Sequence, residues 1–296
     1  MTGISLPPLN IPGLIKEFGL HPRKGLGQNF LQDDHALQTI VISSDIAPVD
    51  EVLEIGPGLG NLTRYLALAA HSVTAVELDK LLFPALEKVV APYQNVHLVQ
   101  GDILRLDPSN LMKSPDYLVV ANIPYYITSA VLRHLLESGG VLRHLLESGG
   151  HPRRLVLTVQ EEVAERICAG PGKMSLLSLS VQVYGTPTIV AYIPAEAFYP
   201  APKVDSAVLR VEILPEPVIS AHLLDTFFTL IKAGFSQKRK TLRNSLSGGL
   251  GIAPAGAEKM LAEAGLDPMR RAETLSLEEW GKLCNAKLGM QITGRG

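Results

Sequence analysis

The stretch EVLEIGPGLG at residues 51–60 joins an apolar, strand-like run to a glycine-rich turn, and the helical pattern of Leu62–Ala70 follows at once. Glycines in such a turn let the backbone approach a ligand where a side chain would clash. The spacing is Gly-x-Gly-x-Gly, not the Gly-x-Gly-x-x-Gly of dinucleotide sites, and Pro57 removes a backbone donor that a pyrophosphate would use. We therefore expect Gly56 and its neighbours to bind a nucleoside without phosphates, and a tight turn with no ligand is the alternative.

Short β-branched runs recur along the chain, and helix-patterned segments such as Leu81–Val90 and Ser129–Leu136 separate the early ones. Strands that alternate with helices and are apolar throughout predict a parallel sheet covered on both faces. The last two runs lack a long helix between them, which predicts an antiparallel pair at the close of the sheet. The sequence thus predicts an α/β fold with seven strands at Glu51–Ile55, Ser72–Leu78, Val96–Val99, Tyr117–Ala121, Leu155–Val159, Thr188–Ile193 and Val208–Ile213.

A change of pattern near residue 216 indicates a second domain. Pro215 and Pro217 flank Glu216 and mark a linker. We expect a main domain at residues 1–215 and a small all-α domain at residues 216–296. The helical segments predicted beyond the linker are His222–Ala233, Lys238–Leu246, Ala257–Glu263 and Leu277–Ala286.

Charge is distributed unevenly between these two parts. From Glu216 onward the chain has 11 Lys and Arg against 8 Asp and Glu, whereas the preceding part has 16 against 21. A basic tail domain beside an acidic main domain suggests an anionic polymer as partner. Within Lys232–Asn244 five cations occur without an acidic residue, which favours phosphate contacts over the usual alternative, a solvated helix face.

The two cysteines, Cys168 and Cys284, are far apart and show no metal-ligand spacing. This pattern is typical of a reducing compartment and argues against a zinc site. The first residues lack the basic start and apolar core of a secretory signal, and no apolar run approaches the roughly 20 residues that cross a bilayer. We expect a cytoplasmic protein with no membrane partner.

Acidic residues follow the second and third predicted strands. Glu77 lies where a carboxylate can accept both hydroxyls of a ribose, and Asp102 lies where it can accept from an adenine amine. We expect Asp79 to cap the next helix, and a cap for Ile103–Leu106 is the alternative for Asp102. Because ligands of such sheets lie beyond the carboxyl ends of the strands, Gly56, Glu77 and Asp102 together predict a nucleoside site.

Asn122-Ile123-Pro124-Tyr125-Tyr126 directly follows the apolar run Tyr117–Ala121. The Asn122 oxygen can accept a hydrogen bond from an exocyclic amine, and the Ile123 carbonyl, held extended by Pro124, can accept a second. Tyr125 offers a ring face for stacking. We expect this segment to hold a flat, amine-bearing ring, with an ordinary Asn-x-Pro turn as the alternative.

Two loops could close over that ring. Gly25–Leu31 has mobile glycines and the amides of Gln28 and Asn29, and its alternative is a plain loop before a helix capped by Asp33 or Asp34. Ala197–Ser206 is stiffened by prolines and could form the second wall of a base pocket, and a stiff hairpin connection is equally compatible with its composition.

Val131–Gly140 is repeated letter for letter as Val141–Gly150. Two copies do not make a solenoid, and ten residues do not return a helix to the same face. We expect the first copy to form a crossover helix and the second to bulge out at the bottom of the sheet, with little effect on function.

Five of these motifs together resemble the ribosomal RNA adenine dimethyltransferase family, in order from about Pro22 to Trp280. Arg270–Ser276 and the Pro-Lys-Val-Asp-Ser run resemble the small-subunit enzymes more than the macrolide-resistance enzymes that modify large-subunit RNA. Tyr126 departs from the family, which often has Asn there, and the tandem repeat has no family counterpart. The motifs are Gly27–Leu31, Glu54–Gly58, Asn122–Tyr125, Phe198–Ser206 and Arg239–Asn244.

The resemblance implies a Rossmann-like class I methyltransferase fold with a mostly parallel sheet, and S-adenosylmethionine as methyl donor without a metal. Its implied target is two adjacent adenines near the 3′ end of 16S rRNA, dimethylated at N6 within the 30S subunit during ribosome biogenesis, by a monomer. Donor contacts are implied for Asn29, Leu31, Gly56, Glu77, Asp102 and Asn122. Catalysis is implied for Asn122, Ile123, Pro124 and Tyr125. RNA binding is expected of Phe198, Lys238, Arg239, Lys240 and Arg243.

Three alternatives stay open on the sequence. The chain could methylate 23S rRNA, or it could be a ribosome assembly factor without catalysis, although the intact Asn122–Tyr125 segment favours chemistry. A nicotinamide oxidoreductase is the third, and Pro57 together with the missing third glycine of the dinucleotide motif disfavours it.

Overall fold

The computed structural model describes residues 6–103, 105–114, 116–122 and 152–293. The predictions for Ile123, Pro124, Tyr125 and Tyr126, for the helix at Ser129–Leu136 and for the tandem repeat lie outside these residues. Of the described residues, those within Met1–Ala164 and Pro187–Ile213 form one compact unit. Those within Glu165–Thr186 and Leu214–Gly296 form a second.

A seven-stranded sheet is the framework of the first unit, and its strand order is β4-β3-β2-β5-β6-β9-β7. The strands from β4 to β6 pair in parallel, and β9 is antiparallel to β6, so the predicted mostly parallel sheet is confirmed. The predicted strand boundaries agree with the observed ones to within three residues. The strands are β2 (Glu51–Ile55), β3 (Ser72–Glu77), β4 (Val96–Gln100), β5 (Leu118–Asn122), β6 (Arg154–Gln160), β7 (Gly185–Ile193) and β9 (Ser206–Ile213).

The central strands are apolar because both of their faces are covered. In β5 every residue before Asn122 is buried, and Val52 and Leu53 of β2 are fully buried. Helix α2 (Asp34–Ser44) and helix α3 (Asn61–Ala69) contribute to one continuous apolar cluster with these strands. This packing fixes the carboxyl ends of β3, β2 and β5 side by side.

Local sequence signals explain where these helices start. The Asp33 side chain accepts from the Ala36 backbone N at 2.7 Å, so Asp33, of the two candidates, is the cap of α2. Helix α3 follows Gly60, which has a left-handed φ of 83°. The remaining described helices of this unit are α1 (Ile11–Glu17) and α4 (Phe83–Val90).

A small second sheet joins two segments that were predicted to be loops. Strand β1 (Phe30–Leu31) pairs antiparallel with β8 (Phe198–Tyr199), with Phe30 opposite Tyr199 and Leu31 opposite Phe198. Two-residue strands have too little periodicity to be predicted. The pairing brings the two predicted covering loops together.

The second unit is helical in its later part, as predicted. Helix α8 begins at Leu242, not at Lys238, because the Leu242 and Arg243 backbone N–H groups bond to the carbonyls of Arg270 and Pro268. Lys238, Arg239 and Lys240 therefore lie in a turn before the helix. The helices are α5 (Glu161–Ile167, which begins in the first unit), α6 (Leu176–Gln182), α7 (Leu224–Phe235), α8 (Leu242–Leu250), α9 (Pro254–Glu263) and α10 (Leu277–Thr293).

The described part of the chain has neither a helix suited to span a membrane nor a cluster of metal-binding side chains. None of its helices combines the length and apolar character that membrane spanning requires. The same residues contain no cluster of three or more His, Cys, Asp or Glu side chains that could hold a metal ion.

Candidate functional site

The centre of the candidate site is the turn that follows β2. Gly56, Gly58 and Gly60 all adopt positive φ, at 71°, 61° and 83°. Among the described residues, a Cβ built on Gly56 would have only the Asn122 carbonyl oxygen within 4 Å, at 3.8 Å. The turn therefore leaves a cradle beside Asn122 that a side chain at position 56 would fill.

Glu77 stands on one side of this cradle, at the end of β3, and is buried. Its Oε2 accepts from Gly58 N at 3.0 Å and its Oε1 from Asp79 N at 2.8 Å. The pKa of Glu77 is raised, chiefly by burial and also by the adjacent Asp79 charge, while backbone hydrogen bonds from Asp79, Gly58 and Leu78 oppose the increase. Since the carboxylate occupies Gly58 N, a pyrophosphate would meet a negative group there instead of a donor.

Asn122 stands on the other side, at the end of β5. Its Nδ2 lies 3.4 Å from the Asn29 carbonyl oxygen, and the Asn29 amide in turn donates to Gly27 O at 3.2 Å. The amide nitrogen of Asn122 thus faces residue 29, which turns Oδ1 away from it. Asn29 and Asn122, predicted from segments 93 residues apart, lie together.

Asp102 and Leu31 complete the predicted donor set. Asp102 lies beyond β4, which pairs with β3, and its carbonyl accepts from Arg105 N and Leu106 N in a turn, not in a helix. Its carboxylate is 3.6 Å from Arg105 Nε. Leu31 is buried in β1, and its carbonyl accepts from Asn61 Nδ2 at 3.0 Å, which ties β1 to the start of α3.

Glu54 is a further acidic residue near the candidate site, and it was not among the predicted site residues. It lies in β2 with 1% of its surface exposed, and burial raises its pKa to about 8, with a further increase from Glu77 and a decrease from nearby Thr63. Among the described residues, neither Glu54 Oε2 nor Thr63 Oγ1 has a partner that meets hydrogen-bond geometry. The signal in the sequence was an acid inside an apolar strand.

These features fit the donor that the resemblance implies. S-adenosylmethionine carries a nucleoside, no phosphate and a positive sulfur. The cradle at Gly56 admits close approach of a ligand, and Glu77 offers carboxylate oxygens. Glu54 adds a buried oxygen without a partner among the described residues.

Comparisons with known proteins agree with this chemistry. A model of the family described as ribosomal RNA adenine dimethylase matches residues 19–287. A ribosomal RNA small subunit methyltransferase A from Dehalococcoides mccartyi (strain CBDB1) is 45% identical over 273 residues, 92% of this chain and 90% of the relative. The protein of the same name from Moorella thermoacetica is 43% identical over 294 residues, 96% of this chain and 98% of the relative.

The chain belongs to the ribosomal RNA adenine dimethylase family. The fold agrees with this membership: a dimethyladenosine transferase from Plasmodium falciparum superposes with a TM-score of 0.71 at 24% identity, covering 90% of this chain and 98% of that one. A 23S rRNA methyltransferase, ErmE, gives a TM-score of 0.66 at 26% identity, covering 87% and 99%. The predicted methyltransferase fold class is confirmed.

In this dimethylase-family chain the predicted RNA-binding residues have different environments. Phe198 is only 2% exposed and packs in the same cluster as Leu31, so a base could stack on it only after the groups over the ring move apart. Tyr199, its neighbour on the opposite strand face, is 38% exposed. In the second unit Lys238, Arg239 and Lys240 are exposed, and Arg243 lies 3.5 Å from Glu258.

Proposed function

We propose that this protein transfers methyl groups from S-adenosylmethionine to N6 of two adjacent adenines near the 3′ end of 16S rRNA in the small ribosomal subunit, as a step of ribosome biogenesis. The observation that carries the proposal is the row of Glu77, Gly56 and Asn122 at the ends of three neighbouring strands, in a member of the dimethylase family. Membership of the ribosomal RNA adenine dimethylase family supports adenine as the target.

We assign the donor site to Asn29, Leu31, Gly56, Glu77, Asp102 and Asn122. Glu77 would accept from the ribose hydroxyls through the lone pairs that its two backbone donors leave free. Gly56 would allow the backbone to approach the methionine part of the donor. The raised pKa of Glu54 keeps this buried carboxyl protonated at neutral pH when the site holds no cation.

Catalysis would depend on positioning. S-adenosylmethionine would supply a methyl carbon bonded to a positive sulfur. As the adenine nitrogen bonds to that carbon, the carbon–sulfur bond breaks, its electron pair goes to sulfur, and S-adenosylhomocysteine is the leaving group. Asn122 Oδ1 would accept one N–H of the adenine amine. This hydrogen bond draws the nitrogen lone pair out of conjugation with the ring and directs the lone pair at the methyl carbon. Three more roles fall to residues outside the described ones. We propose that the Ile123 carbonyl accepts the second N–H, that Pro124 fixes the backbone and that the Tyr125 ring stacks on the base. The proton lost from the nitrogen passes to water.

We propose that RNA binding depends on the helical second unit. Lys238, Arg239 and Lys240 are exposed cations in a turn that backbone hydrogen bonds hold in place, and Arg243 follows on the first turn of α8. Phe198 would stack a base that has flipped out of the RNA helix, at a cost of a few kcal/mol for unstacking, once the groups that bury its ring move apart. We further propose that the protein works as a monomer in the cytoplasm, where ribosomal subunits are assembled.

The test is methyl transfer from radiolabelled donor to 30S particles that lack the modification, with mapping of the labelled base. Label on two adjacent N6 positions near the 3′ end of 16S rRNA is the expected result. Label on 23S rRNA alone would shift the assignment to the second candidate, which the likeness to ErmE favours. Binding of 30S particles without transfer would indicate an assembly factor.

A further inference from the structure

Asp79 has contacts that exceed the cap role predicted for it. The residue is 4% exposed and its Oδ1 accepts from Leu81 N at 3.0 Å, which is the expected cap. Its Oδ2 accepts from Gln28 Nε2 at 2.7 Å and from Arg23 Nε at 3.0 Å. The Arg23 Nη2 group forms an ion pair with Oδ1 as well. A cap needs one oxygen and one backbone N–H, so the Arg23 and Gln28 contacts require another explanation.

The segment Arg23–Gln28 is closed on itself before it reaches Asp79. Arg23 N donates to Gln28 Oε1 at 2.8 Å, and Gln28 N donates to Arg23 O at 3.3 Å. Both ends of this small loop therefore present a side-chain donor to the same carboxylate. The next residue, Asn29, contacts Asn122 through its carbonyl.

Asp79 is also joined to the donor site on its other side. Its backbone N donates to Glu77 Oε1, and Glu77 Oε2 accepts from Gly58 N in the glycine turn. A continuous chain of hydrogen bonds thus runs from Arg23 and Gln28 through Asp79 and Glu77 to Gly58. Because Asn29 directly follows the segment, the position of Asn29 depends on these hydrogen bonds.

We propose that Asp79 is a positioning residue that holds the Arg23–Gln28 segment against the donor site, so that Asn29 and Leu31 are in place before the donor binds. The inference rests on the proposed function, because it takes S-adenosylmethionine as the ligand. The pKa of Asp79 lies below its ordinary value. Burial raises it, but the hydrogen bonds from Arg23, Leu81 and Gln28 lower it by more, which keeps the carboxylate charged for this contact.

The test variant is Asp79→Asn, which retains an oxygen for the Leu81 cap but loses the charge that pairs with Arg23. Asp50→Asn is a matched control, because Asp50 is 7% exposed, accepts from Ala47 N at 2.7 Å and pairs with the Arg153 guanidinium at 2.6 and 3.0 Å. Asp50 precedes β2 at the opposite end of the strands from the donor site. Both variants lose one ion pair, and only one of them loses the proposed contact.

Three measurements distinguish positioning from plain stability. In Asp79→Asn the dissociation constant of S-adenosylhomocysteine, measured by calorimetry, and the KM for the donor should rise about tenfold, while kcat at saturating donor changes by less than about twofold. Hydrogen exchange of the amides at residues 23–29 should be faster. Asp50→Asn should lower the melting temperature but leave the dissociation constant, the KM, kcat and the exchange rate of these amides unchanged.

Wild-type affinity in Asp79→Asn, or an equal loss in Asp50→Asn, would overturn the proposal while the proposed function stands. Failure of the wild-type protein to bind either S-adenosyl compound would overturn both. If Asp79→Asn does not fold, Arg23→Gln and Gln28→Leu replace it, since each removes one donor to the same carboxylate. Each must weaken donor binding, and unchanged affinity in either one refutes the inference.

Discussion

Replacing Glu54 by Gln tests the protonation state of the buried Glu54 carboxyl, in the strand that precedes the glycine turn of the proposed donor site. In the folded protein this carboxyl holds its proton up to about pH 8, whereas its ordinary pKa is 4.5. The unfolded chain therefore loses the proton first as pH rises. Between these two values the folded wild-type protein binds more protons than the unfolded one, so its free energy of unfolding falls with rising pH. The amide side chain of the Glu54→Gln variant is neutral throughout, so the variant lacks this decline.

The size of the effect follows from the two pKa values. Relative to Glu54→Gln, the wild-type protein should lose about 1 kcal/mol by pH 5, about 3 kcal/mol by pH 7 and about 5 kcal/mol by pH 9. At pH 4 most of the carboxyl is neutral even in the unfolded chain, so the difference there reports mainly packing and hydrogen bonding. Glu54 is 1% exposed, so solvent screening does not reduce the effect strongly.

The assay is urea unfolding of both proteins at pH 4, 5, 7 and 9, each in the same ionic strength. The stability difference should grow in favour of Glu54→Gln as pH rises and level off above about pH 8. A difference that stays constant within about 0.5 kcal/mol over this range would refute the reasoning, because it would mean that Glu54 titrates alike in both states.

Three further substitutions test the site and the RNA surface. Asn122→Ala should lower kcat about 10²-fold or more and raise the dissociation constant of the donor far less, as kinetics and calorimetry would measure; equal losses would indicate a structural Asn. Gly56→Ala should destabilise the fold by about 1 kcal/mol and weaken donor binding about tenfold. Gly265→Ala, with a φ of 69° and no described residue within 4 Å of an added Cβ, should cost similar stability without a binding effect. The double variant Lys238→Ala/Lys240→Ala should raise the KM for RNA, reduce its dependence on salt and leave donor affinity intact; an unchanged salt slope would exclude phosphate contacts there.

The sheet and the row of residues at its edge could be predicted because apolar runs that alternate with helical segments carry that information. Parallel strands end at one edge, so Gly56, Glu77 and Asn122 had to share that edge once the strands were recognised, and the observed strand order makes them neighbours. Contacts between distant segments could not be predicted in the same way. Nothing local in Arg23 or Gln28 indicates a carboxylate more than 50 residues away.

The start of α8 and the burial of Phe198 show the same limit. Lys238–Leu246 has a helical pattern, yet backbone bonds to Arg270 and Pro268 hold the preceding residues in a turn. Phe198 and Tyr199 alternate in a short strand, and only its pairing with β1 determines which ring is buried. Both outcomes depend on segments far away in the chain.

If Glu77 and Asn122 hold the methyl donor as proposed, this protein must bind a cation and a polyanion at different places. Glu77 and Asp79 are buried at the carboxyl end of β3, and the guanidinium of Arg23 is already paired with Asp79. Such a site favours a positive sulfur and opposes phosphate. Affinity for RNA must then come from cations outside this edge. The excess of Lys and Arg beyond residue 216, against an acidic excess before it, meets that requirement. Adding positive charge near Glu77 to strengthen RNA binding should therefore weaken donor binding.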